Sequence, residues 1–232
     1  MERIIHGNDV YFIQVVGNKI VINNNYEGII VYDYGINKIK EIQLFEDICI
    51  YSSFISENND LILYCPENDK IVFLNIEHKE TKILDIPSNL ENEIIQKIVR
   101  NIEDKYIFST FNQNYICLDK KECKVRMIAN DSSIINQLVL QDNKDKYDDI
   151  NNILQTHRDC NNSEVKDDIS AITYDDRILV YENEKLKKEI VPKKSYFFNN
   201  SKLLIDGLSK LLVVLSNNLE DEEISVISVL SI

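Results

Sequence analysis

Apolar residues along this chain come in short runs, separated by clusters of Asn, Asp, Glu, Lys and occasional Gly. The runs are too short for amphipathic helices, and polar turns punctuate them, which is the pattern of β-strands joined by tight connections. One unit recurs: strand, polar turn, strand, polar turn, then a third strand laced with charge. Its clearest copy is NKIVINNNYEGIIVYDYGINKIKEIQL, from Asn18 to Leu44. Further copies begin at Asn59, Asp104, Asp167 and Ser201. Each is preceded by a fourth apolar segment: Val10 to Val16, Asp47 to Ser56, Glu93 to Asn101, Ser133 to Gln141, and Ser195 to Asn199. Ser88-x-x-Glu91 offers a capping box, with Ile94, Ile95, Ile98 and Val99 at helical spacing. Its position before the same polar turn favours a strand there.

Four antiparallel strands repeated five times predict an all-β fold: a five-bladed β-propeller of four-stranded blades, as a single domain over residues 1–232. The first strand of each blade is expected on the central channel and the charged last strand on the rim, where charge blocks edge-to-edge pairing. The stretch from Asp142 to Asp168 interrupts the pattern. It reads as a polar insertion, too hydrophilic for a blade strand, carrying a turn or two of helix around Ile150, Ile153 and Leu154. Segments such as Ile29-Ile30-Val31-Tyr32-Asp33 and Ile178-Leu179-Val180-Tyr181-Glu182 resemble the third strand of tryptophan-aspartate-type or YVTN-type blades. The resemblance is to the β-propeller superfamily as a whole. Without Trp, a Gly-His dipeptide or a literal YVTN string, it points to no family within it.

Composition agrees with strands. Ile and Val supply 53 of 232 residues and Ala only two, and β-branched side chains suit a pleated surface better than a helix. Ile, Asn and Lys enrichment also follows from an AT-rich genome, so the pattern carries more weight than the counts. The net charge of −13 argues against nucleic acid and against an anionic membrane surface, both of which call for Lys and Arg. No run reaches the length of a membrane-spanning helix, and the first residues lack the pattern of a secretion signal. Five scattered cysteines without a CxxC pair fit a reducing cytoplasm.

Chemistry is thinly signalled. Asp142, Asp145, Asp148, Asp149, Asp159, Glu164, Asp167 and Asp168 could offer oxygen ligands to Ca²⁺, but no register supplies a calcium-loop pattern. A solvated acidic loop is the ordinary reading. His157 and Cys160 are one close pair where zinc needs four ligands. Gly207-Leu208-Ser209 lacks the second Gly of a nucleophile elbow. Asp33, Asp47, Asp119 and Asp206 lie in or beside strands, where paired carboxylates could serve a glycoside hydrolase or lactonase, though the chain has no Trp platform for sugars. Tyr32, Tyr64, Tyr106, Tyr115 and Tyr181 fall within strands and are expected to pack.

The reading that follows is a non-enzymatic module that presents loops to another protein, without a cofactor. Asp145, Asp148, Asp149, Asp159, Glu164, Asp167 and Asp168 would receive a basic partner. Two alternatives stand beside it: a channel-mouth carboxylate enzyme, and a subunit or immunity-type protein that neutralises a basic toxin.

Overall fold

A computed structural model describes residues 1–56, 58–78, 80–102, 104–128, 159–206 and 209–232. The described residues form five four-stranded antiparallel sheets, so the all-β, five-blade organisation expected from the repeats is the one found. Strand β1 (Glu2–His6) stands apart in sequence from its sheet. The next sixteen strands make four sheets in chain order: β2 (Ile13–Val16) to β5 (Lys38–Gln43), β6 (Ser52–Ile55) to β9 (Glu80–Asp85), β10 (Ile95–Ile102) to β13 (Lys124–Ile128), and β14 (Asn162–Lys166) to β17 (Lys185–Ile190). The last sheet has the order β1-β20-β19-β18, with β18 (Tyr196–Asp206), β19 (Ser209–Asn218) and β20 (Ile224–Ser231). Thus the N-terminal strand supplies the fourth strand of the C-terminal blade.

The middle strands are apolar and mostly buried; β4 (Gly28–Tyr32) and β7 (Leu61–Cys65) expose no residue. The last strand of each sheet is charged and exposed, as in β17 with Lys185, Lys187, Lys188 and Glu189. At Gly28 the β4–β5 ladder closes tightly: a Cβ there would lie 2.2 Å from the Ile42 carbonyl oxygen, so only glycine fits. Residues Ser88–Leu90 form one 3₁₀ turn and β10 follows as a strand, so the capping-box sequence starts no longer helix.

Two expectations shift. The polar stretch from Asp142 to Asp168 holds a blade strand, β14, within its bounds. Only Val165 in β14 is apolar, but its polar side chains find partners on the neighbouring sheet: Asn162 Nδ2 donates to the Ser201 carbonyl at 2.8 Å, and Glu164 pairs with Lys202 at 3.0 Å. The expected strand from Ser133 to Gln141 lies outside the described residues. In the last repeat, Ser195 to Asn199 and the run after Ser201 are not two strands but one, β18, with a bulge between Phe198 and Asn200. The C-terminal segment therefore provides three strands, and β1 completes the blade.

The chain divides into two compact units. Residues 1–46 and 146–232 hold three sheets, and residues 47–145 hold two. In the first unit, one core cluster joins Ile5, Ile20, Ile22 and Tyr32 to Val213 and Ile227, and another joins Ile169, Ala171 and Val180 to Phe198 and Leu212. In the second, Phe54 meets Phe108 edge-on at 5.2 Å, and Phe73 packs against Tyr106 at 5.5 Å.

Candidate functional site

In a four-stranded antiparallel sheet, the segment before the first strand and the loop between strands two and three emerge at one end. The other two turns emerge at the opposite end. Calling the first end the top, each unit places a distinct set of residues there.

In the second unit the top segments among the described residues are 47–51, 66–69, 86–94 and 111–114. They contain no Lys or Arg, but carry Asp47, Glu67, Asp69, Glu91 and Glu93. Glu93 is buried and ties the loops together: Oε2 accepts the Thr110 hydroxyl at 2.5 Å, and Oε1 accepts Asn114 Nδ2 at 2.6 Å. The Tyr64 hydroxyl donates to the Glu93 carbonyl at 3.0 Å, and the Phe111 amide to the Ile94 carbonyl at 3.1 Å. This scaffold holds three large apolar side chains in solvent: Tyr51 at 60%, Ile94 at 41% and Phe111 at 62% exposure. Tyr51 rests edge-on against Tyr64, with ring centroids 6.1 Å apart.

In the first unit the top segments among the described residues are 7–12, 25–27, 44–46, 159–161, 174–177, 191–195 and 219–223. Buried Asn23 fixes the first two: Oδ1 accepts the Tyr11 and Phe12 amides at 3.0 Å, and Nδ2 donates to the Asp9 carbonyl at 2.6 Å. Tyr26 stacks on Tyr11 at 5.5 Å and donates its hydroxyl to Asp9 at 2.6 Å. Asn161 Nδ2 bonds Asp175 at 2.7 Å and the Phe198 carbonyl at 3.0 Å, linking further loops. Glu27, Glu46, Asp159, Asp175, Asp176 and the run from Glu220 to Glu223 are exposed here. Against them stand only Arg177, Lys193 and Lys194. Arg177 lies 3.7 Å from Asp176, and Lys193 pairs with Glu2.

The acidic residues predicted for partner binding divide between the two ends. Asp145, Asp148 and Asp149 lie outside the described residues, as do Asp142 and His157. Asp159 is exposed at the top. Glu164 is half-buried in β14 against Lys202, and Asp167 and Asp168 form the β14–β15 turn at the bottom, Asp167 with φ +55°. There Asp168 and Glu182 share Lys210, at 3.3 and 2.7 Å, and Glu182 also meets Lys187 at 2.9 Å. The Lys210 and Lys187 ammonium groups hold the Glu182 carboxyl down to about 2. Because that value is depressed, the pairing is complete above the ordinary carboxylate range and is lost as pH falls toward about 2. An NMR titration should place the Glu182 midpoint there, and Lys210→Ala should return it toward the ordinary value. A midpoint near the ordinary value in the unaltered protein would contradict the pairing.

Two of the carboxylates considered for catalysis, Asp33 and Asp119, serve turns. Asp33 accepts the Asn37 amide at 2.8 Å and Asp119 the Glu122 amide at 2.9 Å, and these backbone donors hold both below the usual range. The Asp47 carbonyl accepts Asn68 Nδ2 at 2.9 Å. Tyr32, Tyr64 and Tyr106 are buried as expected. Among the described residues, no group of three or more His, Cys, Asp or Glu could hold a metal ion.

No protein-family model matches the sequence, and no curated protein matches it in sequence. Solved structures are similar in fold. AztD from Citrobacter koseri aligns over 79% of this chain at 10% identity and a TM-score of 0.39, and the chain spans 47% of that protein's length. The β-propeller domain of Cps50 (Swd1) from Myceliophteria thermophila aligns over 93% of this chain and 68% of its own, at 7% identity and a TM-score of 0.42. Virginiamycin B lyase from Staphylococcus aureus aligns over 100% and 73%, at 11% identity and a TM-score of 0.42.

Proposed function

We propose that the protein is a non-enzymatic interaction module whose top loops receive a basic segment of another protein. The observation that carries this reading is the charge segregation of the loops. In the unit of residues 47–145, every charged residue in the described top segments is acidic, and exposed Tyr51, Ile94 and Phe111 stand among them. Aromatic side chains supply contact area at low entropic cost and attract Lys or Arg over their faces. Surrounding carboxylates would speed encounter with a cationic partner and reject anionic ones.

The test is capture from native lysate at low salt, followed by direct binding to the purified partner. A basic protein should be retained, with affinity falling roughly tenfold or more between about 0.05 and 0.5 M salt as the charges are screened. Replacing exposed Glu67, Glu91 and Phe111 by Lys should weaken binding by about tenfold and leave the melting temperature unchanged. A partner that binds the triple variant as tightly as the unaltered protein would overturn the reading.

A further inference from the structure

One face of the C-terminal sheet is not filled by its neighbour. Between that face and the segment from Ile190 to Lys193 lies a cavity of about 170 Å³. Its walls are mostly apolar, with Val191, Pro192, Phe198, Val214, Val226 and Leu230 contributing. The pocket is open to solvent on one side, where Val191 is 69% exposed. Two hydroxyls also face it. Ser216 and Ser228, 7% and 8% exposed, line the pocket. They occupy adjacent rungs of the β19–β20 ladder, Ser216 opposite Val226 and Ser228 opposite Val214, so each rung presents one hydroxyl and one isopropyl group. Each serine places a hydroxyl, both donor and acceptor, where an isosteric Val would only extend the apolar wall.

We propose that this cavity binds a small uncharged ring compound with one hydroxyl or carbonyl group, of about the size of phenol. Size sets the first limit: an apolar cavity of about 150 Å³ holds one benzene ring. The two serines set the second, since they can both donate to and accept from one polar substituent. Charge sets the third. Among the lining residues the ionic groups are Lys193 and Glu2, and these are paired with each other. A charged ligand would be desolvated without a free counter-ion.

Titration of the full chain with phenol, benzene and benzoate, followed by ¹⁵N NMR and thermal melting, tests the assignment. Phenol should give saturable shifts concentrated in β19, β20 and residues 190–193, and should raise the melting temperature. Benzoate should bind at least tenfold more weakly. Ser216→Val is expected to weaken phenol about tenfold while leaving benzene within about twofold. Val226→Phe, placed to fill the space, should abolish binding of both. If that variant fails to fold, Ser216→Val and the benzoate comparison still decide the matter. No saturable phenol response, or equal binding of phenol to Ser216→Val, would overturn the proposal.

Discussion

Removing residues 1–6 is expected to destabilise the unit that holds both termini by about 4 kcal/mol, a large share of a typical domain's stability. β1 makes five ladder pairs with β20, from Glu2 opposite Ser228 to His6 opposite Ile224. Ile5, 8% exposed, reaches the core cluster that contains Ile227 and Val229, and burying such a side chain contributes about 2 kcal/mol. Arg3 then ties the C-terminal blade to the first sheet: its guanidinium lies 5.2 Å from the Tyr32 ring centroid and donates to the Ile36 carbonyl at 3.0 Å, together about 1–2 kcal/mol. The remainder comes from ladder bonds, offset in part by the entropy of ordering the strand. Deletion would also expose the β20 edge, rich in Ile and Val, as a template for association. Urea unfolding followed by circular dichroism would measure the loss, and light scattering the association. A synthetic peptide of residues 1–7 should restore part of the stability when added in excess. A change below about 1 kcal/mol would show that β1 is an ornament on a three-stranded blade.

That strand shows where the sequence was readable and where it was not. The repeats from Asn18, Asn59 and Asp104 could be parsed because each middle strand is a run of Ile, Val and Leu bounded by Asn, Asp or Gly. β1 has the same character in Glu-Arg-Ile-Ile-His, but its partner lies more than two hundred residues away, a pairing that local pattern does not encode. β14 failed for the opposite reason. Asn-Ser-Glu-Val-Lys looks like loop until Lys202 and the Ser201 carbonyl stand beside it. The break expected at Asn199–Asn200 in β18 was a bulge, which keeps the chain in the ladder while adding one residue to it. For the candidate site, acidic density alone selected residues 142–168, and the described part of that stretch serves both ends of its sheet. Counting turns within each repeat assigns loops to ends, and would have gathered Asp175, Asp176 and Glu220 to Glu223 with Asp159. The exposure of Tyr51 and Phe111 had no such signal, because buried Tyr64 and Phe108 sit in similar sequence.

The second large effect is expected at Asp60. This carboxylate, 3% exposed, precedes β7 and receives two side-chain donors: Asn75 Nδ2 at 2.6 Å and the Tyr106 hydroxyl at 2.7 Å. Burial raises the Tyr106 phenol above its ordinary range, and the bond to Asp60 raises it further, so the phenol stays a donor at any physiological pH. The Asp60 amide donates to Ser56 Oγ at 3.1 Å, and the Ser56 amide to the Asp60 carbonyl at 3.0 Å, which closes the β6–β7 turn around the same residue. Asp60→Ala removes the carboxylate to which both the Tyr106 hydroxyl and the Asn75 amide donate, at about 1–3 kcal/mol each, and opens a small void. A total loss of about 3–5 kcal/mol is expected. Tyr106→Phe alone removes donor and bond together and should cost only about 1–2 kcal/mol. The double variant should therefore be less destabilised than the sum of the two, because both single variants remove the same bond. Chemical unfolding of the three variants measures the coupling. Strict additivity, or an Asp60→Ala cost below about 1 kcal/mol, would mean that Asp60 is hydrated and that the bond between the two sheets of this unit lies elsewhere.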